Sequence, residues 1–322
     1  MLLEVDDLVT EFSTRAGVIR AVDHASLSLD RGEVLGIVGE SGSGKSAIAH
    51  SIMGLIEPPG RVVHGRILFD GVDLLRQNQN WLRRIRGARI AMIFQDPTAT
   101  LNPVLPIGRQ IAEVLHYHRR LGHRAAREQA VAMLERVGIA DARARLRLYP
   151  HEMSGGMQQR VIIACALILH PELVIADEPT TALDVTVQAQ ILDVLRRLRE
   201  SERGTSILLI THDLGVVAQM CERVAVIYAG SIVEVGSTRE ILARPRHPYT
   251  RGLMDAIPRI GMEAGALQPI PGALEDLAGS HGGCRFHPRC GRAEARCRME
   301  RPVLRHIHMG VMAACHFAEA GC

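Results

Sequence analysis

The chain has 322 residues and a formal net charge of +3; apolar residues make up 47% and aromatics only 3%. This suffices for one large α/β domain with an aliphatic core and a smaller appendage, and the charge is too small to mark a nucleic-acid footprint. The longest strongly apolar run, Val161 to Leu169, falls far short of the roughly 20 residues of a membrane span, and the acidic start MLLEVDDLVTEF is not a signal peptide. The chain is therefore expected to be soluble and cytosolic, with any membrane link supplied by partners.

In chain order, Leu2 to Phe12 and Gly65 to Gly71 alternate as strands do. Glu33 to Val38, Leu173 to Ala176 and Ile207 to Ile210 are short apolar runs ending in polar residues, the pattern of buried parallel strands with functional groups at their C-terminal ends. Between about Asp96 and Arg160 the stretches IGRQIAEVLHYH and REQAVAMLERVGI have helical periodicity. Val224 to Tyr228 and Ile232 to Val235, around Ala229-Gly230, predict a hairpin. Beyond this, prolines, histidines and cysteines accumulate, with five prolines between Pro245 and Pro271. A domain boundary is expected near residues 236–250.

Arginine supplies all but one of the 38 basic residues, the exception being Lys45. A lone lysine marks a place where a compact ammonium serves and a planar guanidinium fork does not. It stands in GESGSGKS, Gly39 to Ser46, between an apolar strand and a helical stretch, the context that separates a phosphate-binding loop from a plain glycine-rich turn. Gly39, Ser41, Gly42, Ser43, Gly44 and Ala47 are expected to wrap phosphate with backbone amides. Lys45 would reach the β- and γ-phosphates and Ser46 the Mg²⁺. In LVIADEP, the strand delivers Asp177 to hold Mg²⁺ and Glu178 to orient or deprotonate the attacking water. Two acidic residues after a strand also start helices, a reading the phosphate loop outweighs.

These residues carry a resemblance. MSGGMQ, Met153 to Gln158, is similar to the signature of ABC ATPases, Gln95 in IFQDP to their Q-loop, Thr181 to Asp184 to their D-loop, and His212 in LITHD to their switch histidine. ESGSGKS, AMIFQDP, LNP, YPHEMSGGM, ADEPTTALDVTVQAQI and PRHPYT most resemble the ATP-binding subunits of dipeptide and oligopeptide importers. The resemblance implies a P-loop ABC ATPase fold: a RecA-like core with an antiparallel β subdomain and a helical subdomain at about 97–160, within a nucleotide-binding domain over 1–240, plus a small Cys-rich C-terminal domain over 241–322. It implies hydrolysis of MgATP in a dimer. Ser154, Gly155, Gly156 and Gln158 would complete the partner's nucleotide site, with Asp184 at the interface. Gln95 would bind Mg²⁺ and report the nucleotide state, and His212 would contact the γ-phosphate. The implied partners are a second ATPase, identical or paralogous, two membrane permeases contacted from residues 95–130, and an extracellular substrate-binding protein, with no nucleic acid. The implied location is the cytoplasmic face of a bacterial membrane.

One departure from the family is plain. Adenine often stacks on an aromatic residue upstream of the loop, and Ala16 to Val22 contains none. Ile19 is the nearest candidate, with Phe12 as an alternative. A nickel or glycan importer of the same subfamily stays open, because the motor does not touch the cargo. A DNA-repair or ribosome-acting ABC ATPase is disfavoured by the lack of heptads and the single cassette, and a P-loop kinase or GTPase by the signature.

The tail carries Cys284, Cys290, Cys297 and Cys315, while Cys165 reads as core, Cys221 as isolated and Cys322 as terminal. Structural disulfides are disfavoured in a cytosolic chain, so four clustered cysteines suggest a metal that staples a segment poor in large apolar residues. Spacing leaves zinc and a [4Fe–4S] cluster open; His281, His287, His306, His308 and His316 are substitute ligands. Resemblance to the tail of dipeptide-importer ATPases, GCRFHPRC onward, favours [4Fe–4S] in a structural or redox-sensing role.

Overall fold

Leu3, Val5 and Leu8 bury one face of the opening strand while Glu4 and Asp6 stay part-exposed. In the computed structural model, which describes residues 1–15, 17–181, 183–200, 204–256, 270–273, 282–308 and 310–320, the strands in chain order are β1 (Leu3–Thr14), β2 (Gly17–Leu29), β3 (Val34–Val38), β4 (Gly60–Phe69), β5 (Val72–Asp73), β6 (Ile90–Ile93), β7 (Leu173–Asp177), β8 (Ser206–Thr211), β9 (Arg223–Tyr228), β10 (Ser231–Ser237), β11 (Arg305–His308) and β12 (Val311–Ala313). The chain divides into two units, residues 1–29, 34–75 and 211–322, and residues 30–33 and 76–210.

In the first unit an antiparallel sheet runs in the order β2-β1-β4-β5. Leu3 faces Leu29 on one side and Phe69 on the other, and all three are fully buried. The expected alternation over Leu2 to Phe12 is interrupted where the register slips between Val5 and Leu8. There Asp7 takes a positive φ of 52°, and its carboxylate lies between His24 Nδ1 at 2.7 Å and His64 Nε2 at 2.9 Å.

The same unit holds a second series of strands. β3, buried along its length, runs parallel to β9. The expected hairpin joins β9 to β10 through Ala229 and Gly230, both at positive φ. Beyond residue 240 the described tail does not stand apart as a Cys-rich domain. β12 pairs with β10, Val235 opposite Met312, and β11 pairs with β12. Backbone pairing thus merges the tail with the unit that contains β3. The helix Pro248–Asp255 is anchored at its start. Burial pulls the pKa of His247 down to about 3, so the neutral ring accepts the Tyr249 amide at Nδ1, 3.1 Å away.

In the second unit β6, β7 and β8 are parallel. All five residues of β7 are buried, as expected for LVIAD, so the strand ends by presenting Asp177. Helices Ile107–Arg119, His123–Arg136 and Ala142–Arg145 occupy the predicted helical region, and the helix Gly155–Leu167 continues beyond its expected limit at residue 160. Ile107, Ile111 and Leu115, four residues apart, are fully buried. No helix among the described residues is long and apolar enough to cross a membrane. Ile111→Ala should leave a cavity in this helical core and lower stability by about 2–5 kcal/mol, measured as a shift of the urea unfolding midpoint.

Candidate nucleotide-binding site

β3 ends at Val38, and the chain turns through Gly39 to Gly44 into the helix Lys45–Met53. Gly42 has φ 78° and Gly44 φ 104°, where L side chains are strained. A Cβ on Gly39 would stand 2.3 Å from Ile227 O, and one on Gly44 2.2 Å from Ala21 O. The helix has no side-chain cap and no acidic residue in its first turn, which leaves its amide groups and positive end to an anion. Lys45, almost wholly buried, donates from Nζ to Gly39 O and Glu40 O, both at 2.9 Å. The ammonium thereby closes the loop on itself. The Ser43 hydroxyl is buried without a hydrogen-bond partner among the described residues, as in a cradle whose ligand supplies one. Ser46 and Ala47 are part-exposed in the helix's first turn, and Ser41 is exposed. The loop fits the phosphates of a nucleotide.

The two adenine candidates are cross-strand partners, Phe12 opposite Ile19, so they share one face of the sheet. The Phe12 ring is packed against Gly60, where a Cβ would come within 2.5 Å of it. Ile19 is part-buried. His212 is exposed on a turn whose next residue, Asp213, caps the following helix by accepting from Gly215 N at 2.8 Å.

The second unit gathers the remaining motif residues. Asp177, at the end of β7, is nearly fully buried. Glu178 follows with φ 45°, a conformation costly for a non-glycine residue and frequent at functional sites. Its amide donates to Ile210 O at 2.9 Å. Its Oε2 accepts from Gln95 Nε2 at 3.1 Å and from the Thr181 hydroxyl at 2.9 Å. Gln95 and Glu178, chosen from separate motifs, are therefore hydrogen-bonded to each other.

Ser154 caps the helix Gly155–Leu167. Ser154 and Gly156 line a cavity of about 360 Å³ with Arg145, Met157 and Arg160. Gln158 departs from its expected place as a nucleotide ligand. It is buried, and its Nε2 donates to Pro150 O at 2.7 Å and Met153 O at 3.2 Å. Its amide shapes the loop ahead of the helix, because a buried donor takes the backbone acceptors within its reach. Asp184 caps the helix Val185–Arg199 through Val187 N at 2.9 Å, and Val185 beside it is 82% exposed. Ala182, inside the expected D-loop, lies outside the described residues.

The tail cysteines 284, 290, 297 and 315 are in the thiol form, Cys297 and Cys315 buried and the others partly so. Burial raises the Cys284 thiol to about 11 and shifts Cys290 in the same direction, so the proton stays on in the absence of a metal. Among the described residues no group of three or more His, Cys, Asp or Glu is arranged to hold a metal ion. The thiols as they stand do not form the expected ligand set. Cys284 N donates to Cys297 O at 2.8 Å, and Cys315 Sγ accepts from Phe317 N at 3.4 Å. His316 Nε2 is 3.0 Å from Glu300 O. His281 and Cys322 lie outside the described residues.

Two tail residues to which the sequence reading gave no role, Tyr249 and Arg289, also meet the loop at Glu40. The Glu40 carboxylate is gripped by Arg289 and its amide donates to the Tyr249 hydroxyl. No local pattern pairs residues so distant in sequence; a charged residue inside the glycine loop was the one available hint.

The family profile described as ABC transporter matches residues 22–181, and that of the oligopeptide/dipeptide transporter C-terminal region matches 233–297. The chain is 48% identical to the dipeptide transport ATP-binding protein DppD of Bacillus subtilis over 297 residues, spanning 92% of this chain and 88% of that protein. It is 47% identical to the oligopeptide transport ATP-binding protein OppD of Salmonella typhimurium, spanning 98% and 93%. The chain belongs to the ABC transporter ATP-binding proteins. Among solved structures, this ABC protein matches a dimeric ATP-binding cassette, MJ0796, in a post-hydrolysis state bound to ADP and Pi, with a TM-score of 0.68 at 28% identity, over 74% of this chain and 99% of that one.

Because Gly44 is both at positive φ and in contact with Ala21 O, Gly44→Ala should distort the loop and abolish binding of a fluorescent ATP analogue. Titration against wild type measures the loss.

Proposed function

We propose that this ABC protein is the ATP-hydrolysing motor of a peptide importer, coupling MgATP turnover in an ATPase dimer to movement of cargo through membrane permeases. The observation that carries the ATPase reading is the closed loop from Gly39 to Ser46 with Lys45 at its centre. The peptide reading is supported by the C-terminal match over 233–297 and by the names of the relatives. Two permeases and an extracellular substrate-binding protein complete the assembly at the cytoplasmic face. We retain 1–240 as the nucleotide-binding domain and 241–322 as the importer-type tail. A nickel or glycan cargo is the second reading.

In this mechanism Lys45 neutralises phosphate charge, and the loop amides hold the oxygens. Ser46, Asp177 and Gln95 would hold Mg²⁺, which supplies charge neutralisation at the β- and γ-phosphates. Glu178 takes or orients the proton of the attacking water. Its hydrogen bonds to Gln95 and Thr181 fix the carboxylate's direction, so movement of the Gln95 segment would report directly on that base. His212 would contact the γ-phosphate. Ser154, Gly155 and Gly156 would present a helix N-terminus to the partner's nucleotide, with Asp184 at the dimer interface. Ile19 would contact adenine. Val104 and Tyr117, 74% and 62% exposed, are the apolar side chains we assign to the permease surface. The four tail thiols would be the ligands of a [4Fe–4S] cluster, or of zinc.

Glu178→Gln should keep ATP binding, accumulate a closed dimer seen by size-exclusion chromatography, and cut turnover by roughly 10² to 10⁴. Near-normal turnover would refute the assignment. Lys45→Arg should lose most activity despite the conserved charge, since a planar fork cannot take the place of the ammonium between two carbonyls. Protein purified anaerobically should carry about four irons per chain; one zinc, or no metal, by elemental analysis would remove the cluster. Co-purification of the native complex, with identification of its binding protein, decides the cargo.

A further inference from the structure

Glu40, the second residue of the phosphate loop, has every polar group engaged. Its carbonyl accepts from Lys45 Nζ at 2.9 Å. Its amide donates to the Tyr249 hydroxyl at 2.8 Å. Its carboxylate receives both arms of Arg289, Nη1 to Oε2 at 2.7 Å and Nη2 to Oε1 at 3.0 Å. Two of these three holds come from beyond residue 240.

Arg289 is itself fixed. Its side chain is 5% exposed, Nε donates to Pro271 O at 2.8 Å and Nη2 to Gly272 O at 3.3 Å, and its guanidinium lies 5.7 Å from the centre of the Tyr228 ring. A bidentate, charge-assisted pair between a preorganised guanidinium and a half-buried carboxylate is directional as well as strong. It acts on the residue whose carbonyl holds the catalytic-site lysine. The far end of the loop is backed from the same tail: Ser43 O accepts from Gly230 N at 2.7 Å, Gly230 O accepts from Asp23 N at 2.8 Å, and the buried Asp23 carboxylate is paired with Arg285 at 2.8 Å and Arg301 at 2.7 Å. Arg285 and Arg301 already dock the tail on Asp23. Docking alone therefore does not require a third arginine on Glu40.

We propose that Arg289 is a positioning residue of the nucleotide site, which fixes the Glu40 turn of the phosphate loop so that the C-terminal tail sets the affinity for the nucleotide's phosphates. The inference rests on the ATP-binding reading above. It also gives the tail a task in the motor besides that of holding a metal.

The test uses the full chain, titrated with a fluorescent ATP analogue and assayed for MgATP hydrolysis, with thermal melting to monitor folding. Arg289→Gln and Glu40→Gln should each raise the Kd for the analogue and the KM for ATP by about five- to 20-fold, with kcat within about twofold; the double variant should be no worse than the weaker single, because one interaction is lost in all three. Arg289→Lys, which keeps the charge without the fork, should fall between wild type and Arg289→Gln. Arg296→Gln, a tail arginine paired with Glu300 and exposed, should bind as wild type does. If Arg289→Gln melts early, Glu40→Gln carries the test, since its side chain is 30% exposed. A wild-type chain that binds no nucleotide overturns both readings. Wild-type binding with unchanged affinity in folded variants, or additive losses in the double variant, overturns this one alone.

Discussion

A phosphate loop built from glycine cannot hold its own shape. Its glycines have no side chains to pack, and their conformational freedom must be removed by whatever surrounds them. Here the surroundings are backbone. Ile227 O stands where a side chain on Gly39 would be, and Ala21 O where one on Gly44 would be. The β9–β10 hairpin and β2 are thus the mould in which the loop is cast, and the parallel pairing of β3 with β9 brings Ile227 alongside. Lys45 closes the ring from within by taking the carbonyls of Gly39 and Glu40. The glycine spacing is meaningful only because these neighbours approach so closely.

The Glu178 carboxylate is placed by a different device. β7 is apolar and buried throughout, so the strand is rigid and its end point is well defined. The chain then enters a left-handed conformation at Glu178, where the amide is tied to Ile210 and the carboxylate to Gln95 and Thr181. Strain at one residue is balanced by bonds on both its backbone and its side chain, as expected where direction matters more than local stability. The contact also links this carboxylate to the segment that runs from Gln95 to the exposed Val104.

The tail enters the architecture through pairing and charge. β12 joins β10, and three arginines, 285, 289 and 301, reach Asp23 and Glu40. Removing either side of such a buried pair would strand a charge in a poorly solvated place, so the tail and the unit it joins are conditionally stable on each other. The cysteines lie among these arginines in sequence, which places any change in the thiols close along the chain to the residues that grip the loop.

The sequence by itself determined the class of chemistry. The glycine loop with the chain's lone lysine and the apolar strand ending in Asp177-Glu178 are local patterns, each set by propensity and spacing within a few residues. They were legible because backbone geometry there depends on neighbours in sequence. The hairpin at Ala229-Gly230 and the buried parallel strands were legible for the same reason. Tertiary structure decided what no local pattern encodes: that Gln95 bonds to Glu178, that Gln158 turns inward to Pro150 and Met153, that Phe12 and Ile19 share one face, and that the tail joins β10 instead of standing apart. It also decided that Arg289 meets Glu40. A hydrogen bond or ion pair between distant residues depends on which surfaces the completed core brings together, and that is a property of the packed chain, with no signature in the spacing of the residues it joins.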